Sequence, residues 1–317
     1  MHKIIGLGLL LCLASLPALA QSPPPKPAAA QPTAAGVGGV QTCLRCHGNE
    51  PEVTPILQTP HGVKGDPHTP FAQEGCESCH GDSEAHVQSR SNKPAVLFKG
   101  PNISPVAARN AQCLNCHESG MRMNWKGSAH DRDDIACTNC HTIHAAKDPV
   151  LVKITQPEKC FTCHATQRAD SYKYSHHPIR EGKVVCSDCH NPHGSAGDTK
   201  LLKEFTVNET CYTCHADKRG PLLWEHQPVR ENCLNCHNPH GSNQPRLMVE
   251  QMNFLCSSCH SAQSNNSGGA FGGAHSIPYR GPGSSFFNSA LANQRQCLNC
   301  HSQVHGSNSP AGAFFFR

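Results

Sequence analysis

Apolar residues are thinly spread along this chain, and their pattern predicts little regular structure. An apolar run from Ile4 to Pro17, led by Met1, His2 and Lys3, is followed by no stretch approaching the ~20 apolar residues of a membrane helix. From residue 41 onward apolar side chains come in short clusters separated by Gly, Pro, Asn and Ser. No alternation of β-branched residues is long enough for a credible strand. The expectation is mostly coil with short helices, little or no sheet, and a core that side chains alone do not fill.

Composition sharpens that expectation. Of 317 residues 37% are hydrophobic and 5% aromatic, a poor supply for an ordinary core at this length, while 21 are cysteine and 23 histidine. Disulfides are the usual remedy for a thin core, yet they give no reason for histidine to match cysteine in number.

Cysteine spacing supplies the reason. Twenty of the 21 cysteines fall in ten C-x-x-C-H motifs. In chain order these are Cys43, Cys46 and His47; Cys76, Cys79 and His80; Cys113, Cys116 and His117; Cys137, Cys140 and His141; Cys160, Cys163 and His164; Cys186, Cys189 and His190; Cys211, Cys214 and His215; Cys233, Cys236 and His237; Cys256, Cys259 and His260; and Cys297, Cys300 and His301. Two thiols at this spacing can form thioethers to the vinyl groups of one haem, and the adjoining imidazole is then placed to ligate the iron as its proximal ligand. Zinc ribbons and redox dithiols also use C-x-x-C, but neither needs histidine next to the second cysteine ten times in ten. The stacked haems then form the core, and folding is expected to depend on their attachment.

Ten irons need ten distal ligands. Apart from His2 and the motif histidines, twelve remain: His61, His68, His86, His130, His144, His176, His177, His193, His226, His240, His275 and His305. Methionine cannot serve generally, because after Met1 only Met121, Met123, Met248 and Met252 are left. Order along the chain selects among the twelve. Each odd motif is followed, 11 to 15 residues beyond its own histidine, by His61, His130, His177, His226 or His275. Each even motif is followed, 3 to 6 residues beyond, by His86, His144, His193, His240 or His305. That is one distal candidate per haem and five di-haem repeats. His68 competes with His61, and His176 with His177; the alignment of Ser128-Ala129-His130 with Ser175-His176-His177 favours His177. A histidine three residues from the proximal one is too near to reach the opposite face of the same porphyrin, so it is expected to ligate a neighbouring haem.

The rest of the chain adds compartment and charge. Residues 1–20 read as a secretory signal peptide, with Ala18-Leu19-Ala20 as cleavage site and Cys12 inside it. Residues 21–40 read as a disordered Pro/Ala-rich leader, and residues 41–317 as the decahaem domain. The stretches 81–112 and 261–283 read as loops, and Phe314-Phe315-Phe316 as packing on the last haem. The formal charge of +4 is misleading, because twenty propionates would bring the ferrous form to roughly −17 after loss of Lys3. Nucleic acid and anionic lipid are poor partners for such a molecule. Closed bis-histidine irons exchange electrons without an open position for substrate, which points to an electron-transfer protein and away from an enzyme.

The ten motifs resemble those of the periplasmic decahaem cytochromes of the MtrA type, a group that includes MtoA, PioA and DmsE. So do the two C-x-x-C-H-N-P-H-G-S copies at Cys186–Ser195 and Cys233–Ser242, and the segments 141–151, 211–226 and 297–308. The resemblance covers residues 41–317. It implies a cytochrome inserted into an outer-membrane β-barrel sheath, passing electrons between a periplasmic or inner-membrane cytochrome and the cell exterior, where a surface multihaem cytochrome can follow. The process served would be extracellular iron reduction or oxidation, with the direction open. A soluble periplasmic carrier to a terminal reductase, or a multihaem reductase, are the alternatives.

Overall fold

Each C-x-x-C-H segment closes a helical turn on itself. The N–H of the motif histidine donates to the carbonyl of the first cysteine at 2.9–3.0 Å in nine motifs, from His80 to His301. This turn puts both thiols on one side of the backbone, as attachment to a single planar group requires. The computed structural model describes residues 39–197, 200–260, 297–299, 301–310, 312 and 315, all within one compact unit of the chain.

Odd and even motifs differ in their helices. Odd motifs lie toward the end of helices of six to nine residues: Val40–His47, Val106–Leu114, Gln156–Phe161, Val207–Tyr212 and Met252–Cys259. Even motifs are single turns: Glu77–His80, Cys137–Cys140, Cys186–Cys189, and the 3₁₀ turns Cys233–Asn235 and Cys297–Asn299. In the fourth and sixth motifs the residue before the second cysteine stabilises the turn: Asn139 Oδ1 accepts from the Ala136 N–H and Asp188 Oδ2 from the Val185 N–H, each at 3.0 Å. Such short helices have little stability of their own and depend on tertiary contacts.

Among the described residues there is no strand, only isolated bridges such as Ser175 with Ser242 and Trp224 with Ser307. The buried apolar residues Phe71, Val96, Trp125, Phe161, Val185 and Leu202 are scattered along the chain, and as many buried positions are polar. Mostly coil with short helices is therefore what the chain builds, as its apolar pattern predicts. The stretch 81–112 is more ordered than a loop, because it contains the helix Glu84–Gln88 and most of Val106–Leu114. The expected loop at 261–283 lies outside the described residues, as do residues 1–38.

The repeats dock through the histidine-glycine-serine segments after the even motifs. Gly194 and Gly241 have φ of +108° and +152°, and a Cβ on either would run into the carbonyl oxygen of Asn124 or Asp170 in the preceding repeat. Ser242 then exchanges backbone hydrogen bonds with Ser175 at 2.8 and 2.9 Å, and Ser307 with Trp224 at the same distances.

Candidate haem sites

The first cysteines of successive motifs meet two by two. Cys43 pairs with Cys76, Cys113 with Cys137, Cys160 with Cys186, Cys211 with Cys233, and Cys256 with Cys297, each thiol the strongest influence on its partner. That influence pushes one thiol of each pair up, at Cys76, Cys113, Cys160, Cys211 and Cys256, and holds its partner down. Between pairs the second cysteine of each even motif lies close enough to the next odd motif to feel its charge: Cys79 with Cys116, Cys140 with Cys160 and Cys163, Cys189 with Cys211 and Cys214, Cys236 with Cys259. The attachment points thus run in sequence order without a break. Cys300 lies outside the described residues.

Pairing within the second, third and fourth repeats is held by a residue that the motif pattern does not reveal. Asn110 and Asn208 are buried three residues before the first cysteine of their odd motifs. Their Oδ1 atoms accept from the Cys137 and Cys233 N–H at 2.9 and 2.8 Å, and their Nδ2 groups donate to carbonyls of Ile135, Val229 and Arg230. Gln156 does the same for the sixth motif through Ser187 N–H at 3.0 Å. The recurrence of Asn-x-x-Cys at Asn110, Asn208 and Asn253 is the only trace of this clamp in the sequence.

Each motif histidine from His47 to His260 faces a second histidine, with ring centres 6.0–6.3 Å apart. The pairs are His47 with His86, His80 with His144, His117 with His61, His141 with His193, His164 with His130, His190 with His240, His215 with His177, His237 with His305, and His260 with His226. Two metal–imidazole bonds of about 2 Å, and about 1.1 Å from each ring nitrogen to its ring centre, span roughly 6.2 Å. The gaps therefore fit one metal ion each, and the thiols at their edge fit a covalently attached porphyrin. His275, the expected partner of His301, lies outside the described residues.

The remaining ring nitrogens support the fit. Metal-bound histidines characteristically bond the protein through the nitrogen that does not bind the metal. Here Nδ1 of His80, His86, His130, His144, His177, His190 and His237 meets backbone carbonyls at 2.8–3.2 Å, leaving Nε2 free for the gap. The carbonyls that receive His130 and His177 belong to Pro192 and Pro239, each just before a short-spaced histidine. Val304 stands in the same relation to His226, without a well-formed hydrogen bond. Burial pushes His61, His80, His117, His193, His226, His237, His240 and His305 below the usual imidazole range, keeping the rings neutral, as metal binding requires. Arg122 Nε and Trp125 Nε1 are buried donors without a partner, suited to propionate carboxylates.

Two ambiguous positions separate in space. His61 faces His117, whereas His68 is in none of the ring pairs; His177 faces His215, whereas the His176 ring meets the Lys173 carbonyl at 2.7 Å and Glu181 at 3.5 Å. The short-spaced histidines do not face the adjacent motif, as chain proximity suggests, except for His86. His144, His193, His240 and His305 each face the motif two places earlier, because their loops dock on the preceding repeat. Phe315 packs on His226, which faces the ninth motif, with ring centres 5.5 Å apart, and its carbonyl accepts from the N–H of Gln303, two residues after the last motif, at 3.0 Å; Phe314 and Phe316 lie outside the described residues.

Comparison with known proteins agrees with this construction. Residues 176–220 and 226–265 match the doubled CXXCH motif family, and residues 76–155 match the NrfB-like cytochrome c-type proteins. The multihaem cytochrome MtrA of Shewanella baltica is 43% identical over 279 residues, which cover 88% of this chain and 81% of the relative. The cytochrome c-type protein NrfB of Escherichia coli O6:H1 is 24% identical over 40% of this chain and 77% of its own length. The polyhaem cytochrome OmcB of Geobacter sulfurreducens is 25% identical over 55% of this chain and 28% of its own length. With its paired C-x-x-C-H repeats and this extent of identity, the chain belongs to the MtrA family of multihaem c-type cytochromes, electron-transfer proteins with covalently bound haem.

Proposed function

We propose that this protein is an electron conduit across the outer membrane, holding ten c-type haems inside a β-barrel partner and serving extracellular iron reduction or oxidation. The twenty motif cysteines from Cys43 to Cys300 hold the haems as thioethers, and the ten motif histidines are the proximal ligands. The distal ligands are His61, His86, His130, His144, His177, His193, His226, His240, His275 and His305. When bound, the haems supply one-electron exchange between ferric and ferrous iron.

The unbroken series of facing histidine rings at the motifs from His47 to His260, with the helices and turns of successive motifs packed on one another, carries this reading. Ten attachment sites in strict order suit transfer over a distance, and histidines on both sides of each gap from His47 to His260 leave no iron position open to a substrate. Residues 1–20 direct export to the periplasm and residues 21–40 form the leader. Among the described residues no helix is long and apolar enough to cross a membrane. So polar a chain can lie at membrane depth only inside a closed sheath, and barrels of ~22 strands are wide enough to hold one. A periplasmic or inner-membrane cytochrome meets one end of the series, and a cell-surface multihaem cytochrome the other.

The test is to purify the native protein from outer membranes in mild detergent, reconstitute it into liposomes with whatever accompanies it, and add an external reductant to liposomes enclosing a redox dye. Reduction of the dye that depends on a co-purifying barrel is expected. Haem-replete protein found alone in the periplasmic fraction, with the enclosed dye unchanged, would replace the conduit by a soluble carrier.

A further inference from the structure

The histidines of the even motifs share one setting, with a single exception among those whose Nδ1 contact is defined. Nδ1 of His80, His190 and His237 meets the backbone carbonyl of Val96, Lys200 or Arg246 at 3.2, 2.9 and 2.9 Å. In the fourth motif the same nitrogen of His141 meets the carboxylate Oδ2 of Asp148 at 2.6 Å. The other oxygen of Asp148 accepts from the backbone N–H of Thr142 and Val150 at 3.1 and 3.3 Å, which fixes the carboxylate against the ring. The Asp148 side chain is only 12% exposed. Glu50 contacts His47 in a similar way at 3.0 Å, but both side chains are at least 40% exposed, and water and salt screen that charge.

A carboxylate that accepts a hydrogen bond from Nδ1–H makes Nε2 a stronger donor, and its negative charge in a half-buried site favours ferric over ferrous iron. On the far side of the gap the His193 ring lies 6.0 Å away and 9° from parallel, with its Nδ1 buried and unpartnered, so nothing offsets the donation from that ring. Arg122 is the opposing charge. It acts through space on both His117 and His193, whereas Asp148 is bonded to the ligand ring itself.

We propose that Asp148 is a positioning residue that makes the iron between His141 and His193 the lowest-potential centre of the series. The inference rests on the bis-histidine haem reading above. It divides the conduit: an electron resides by preference on the three centres before the fourth or the six after it, and crosses the fourth as an uphill step. Each crossing changes only the oxidation state of iron, with no bond made and no proton moved.

The test uses the full-length haem-loaded protein, poised electrochemically and followed by visible absorbance and electron paramagnetic resonance, beside Asp148→Asn and Glu50→Gln. Near-parallel imidazoles give a rhombic low-spin ferric signal and near-perpendicular ones a strongly anisotropic signal. The last signal lost on reduction of the wild type is therefore expected to be rhombic, unlike that of the His61 and His117 pair at 82°. In Asp148→Asn the lowest-potential step is expected to move upward, with the reduced-to-oxidised ratio at its former midpoint rising about tenfold; Glu50→Gln should change its own step far less. A strongly anisotropic signal disappearing last, or a lowest step unmoved in Asp148→Asn, overturns the inference. If the variant fails to load haem, a strongly anisotropic last signal in the wild type still overturns the inference, because the stacked pairs at 9–29° share the rhombic signal and the pair at 82° does not. Fewer than ten haems, or a ferric spectrum dominated by high-spin iron, would instead overturn the haem reading.

Discussion

Adjacent histidines in this chain have different fates because their backbones leave them facing different ways. His176 and His177 are equally available to sequence reasoning, yet the carbonyl of Pro239 holds Nδ1 of His177 at 2.8 Å and turns its ring to His215, while the carbonyl of Lys173 holds His176 away. Replacing His177 by Ala is expected to convert about one haem in ten to a high-spin ferric form, and replacing His176 by Ala to leave the low-spin spectrum intact. Electron paramagnetic resonance of the oxidised protein reads both. His61 and His68 should behave in the same way, with only His61→Ala producing the high-spin signal.

At the level of the elements, stability resides in what joins short helices and turns. Asn208 satisfies the Cys233 N–H and the carbonyls of Val229 and Arg230 at once. Asn208→Ala leaves these buried groups without their partner and should cost about 1–3 kcal/mol, seen as a lower denaturation midpoint of the haem-loaded protein. Gly241 is constrained from the other direction, since any side chain there meets the Asp170 backbone. Gly241→Ala is expected to loosen the bridge between Ser242 and Ser175 and to displace His240 from His190. Strain at such a position costs about 1–3 kcal/mol, and the expected readout is a reduced midpoint together with a high-spin signal from the sixth site. The same substitution at an exposed glycine such as Gly65, where a Cβ meets nothing, provides the control.

For the whole molecule the decisive quantity is the apolar surface that the polypeptide lacks. Buried apolar side chains are few and dispersed, and large ones such as Leu151, Phe205 and Phe254 stand two-thirds or more exposed on the bare chain. Covalent haem must supply the missing interior. A chain with all motif cysteines changed to alanine is therefore expected to show no cooperative thermal transition, and one like that of the loaded protein would refute the point. Mass spectrometry of the mature protein should find ten haems attached. The same arrangement links neighbouring repeats: the loop after an even motif carries one histidine to the preceding repeat and, at Pro192 and Pro239, also the carbonyl that orients the histidine of that repeat. Neighbouring repeats are thus expected to form as a cooperative series.

The sequence by itself determined the motif count, the alternation of long and short histidine spacings, the division into five repeats and the absence of an ordinary side-chain core. These are properties of local order along the chain, and a C-x-x-C-H turn of five residues needs no distant contact to be recognised. Which rings face each other was decided only in three dimensions. His130 and His177 are oriented by carbonyls 62 residues away, and spacing along a coil-rich chain carries no information about that return. The asparagine clamp was equally hidden, because a buried Asn before a cysteine looks like any polar residue until its oxygen is found on the next motif. The carboxylate of Asp148 likewise acquired meaning only when the fold set it against His141, where the second, sixth and eighth motifs present a peptide carbonyl.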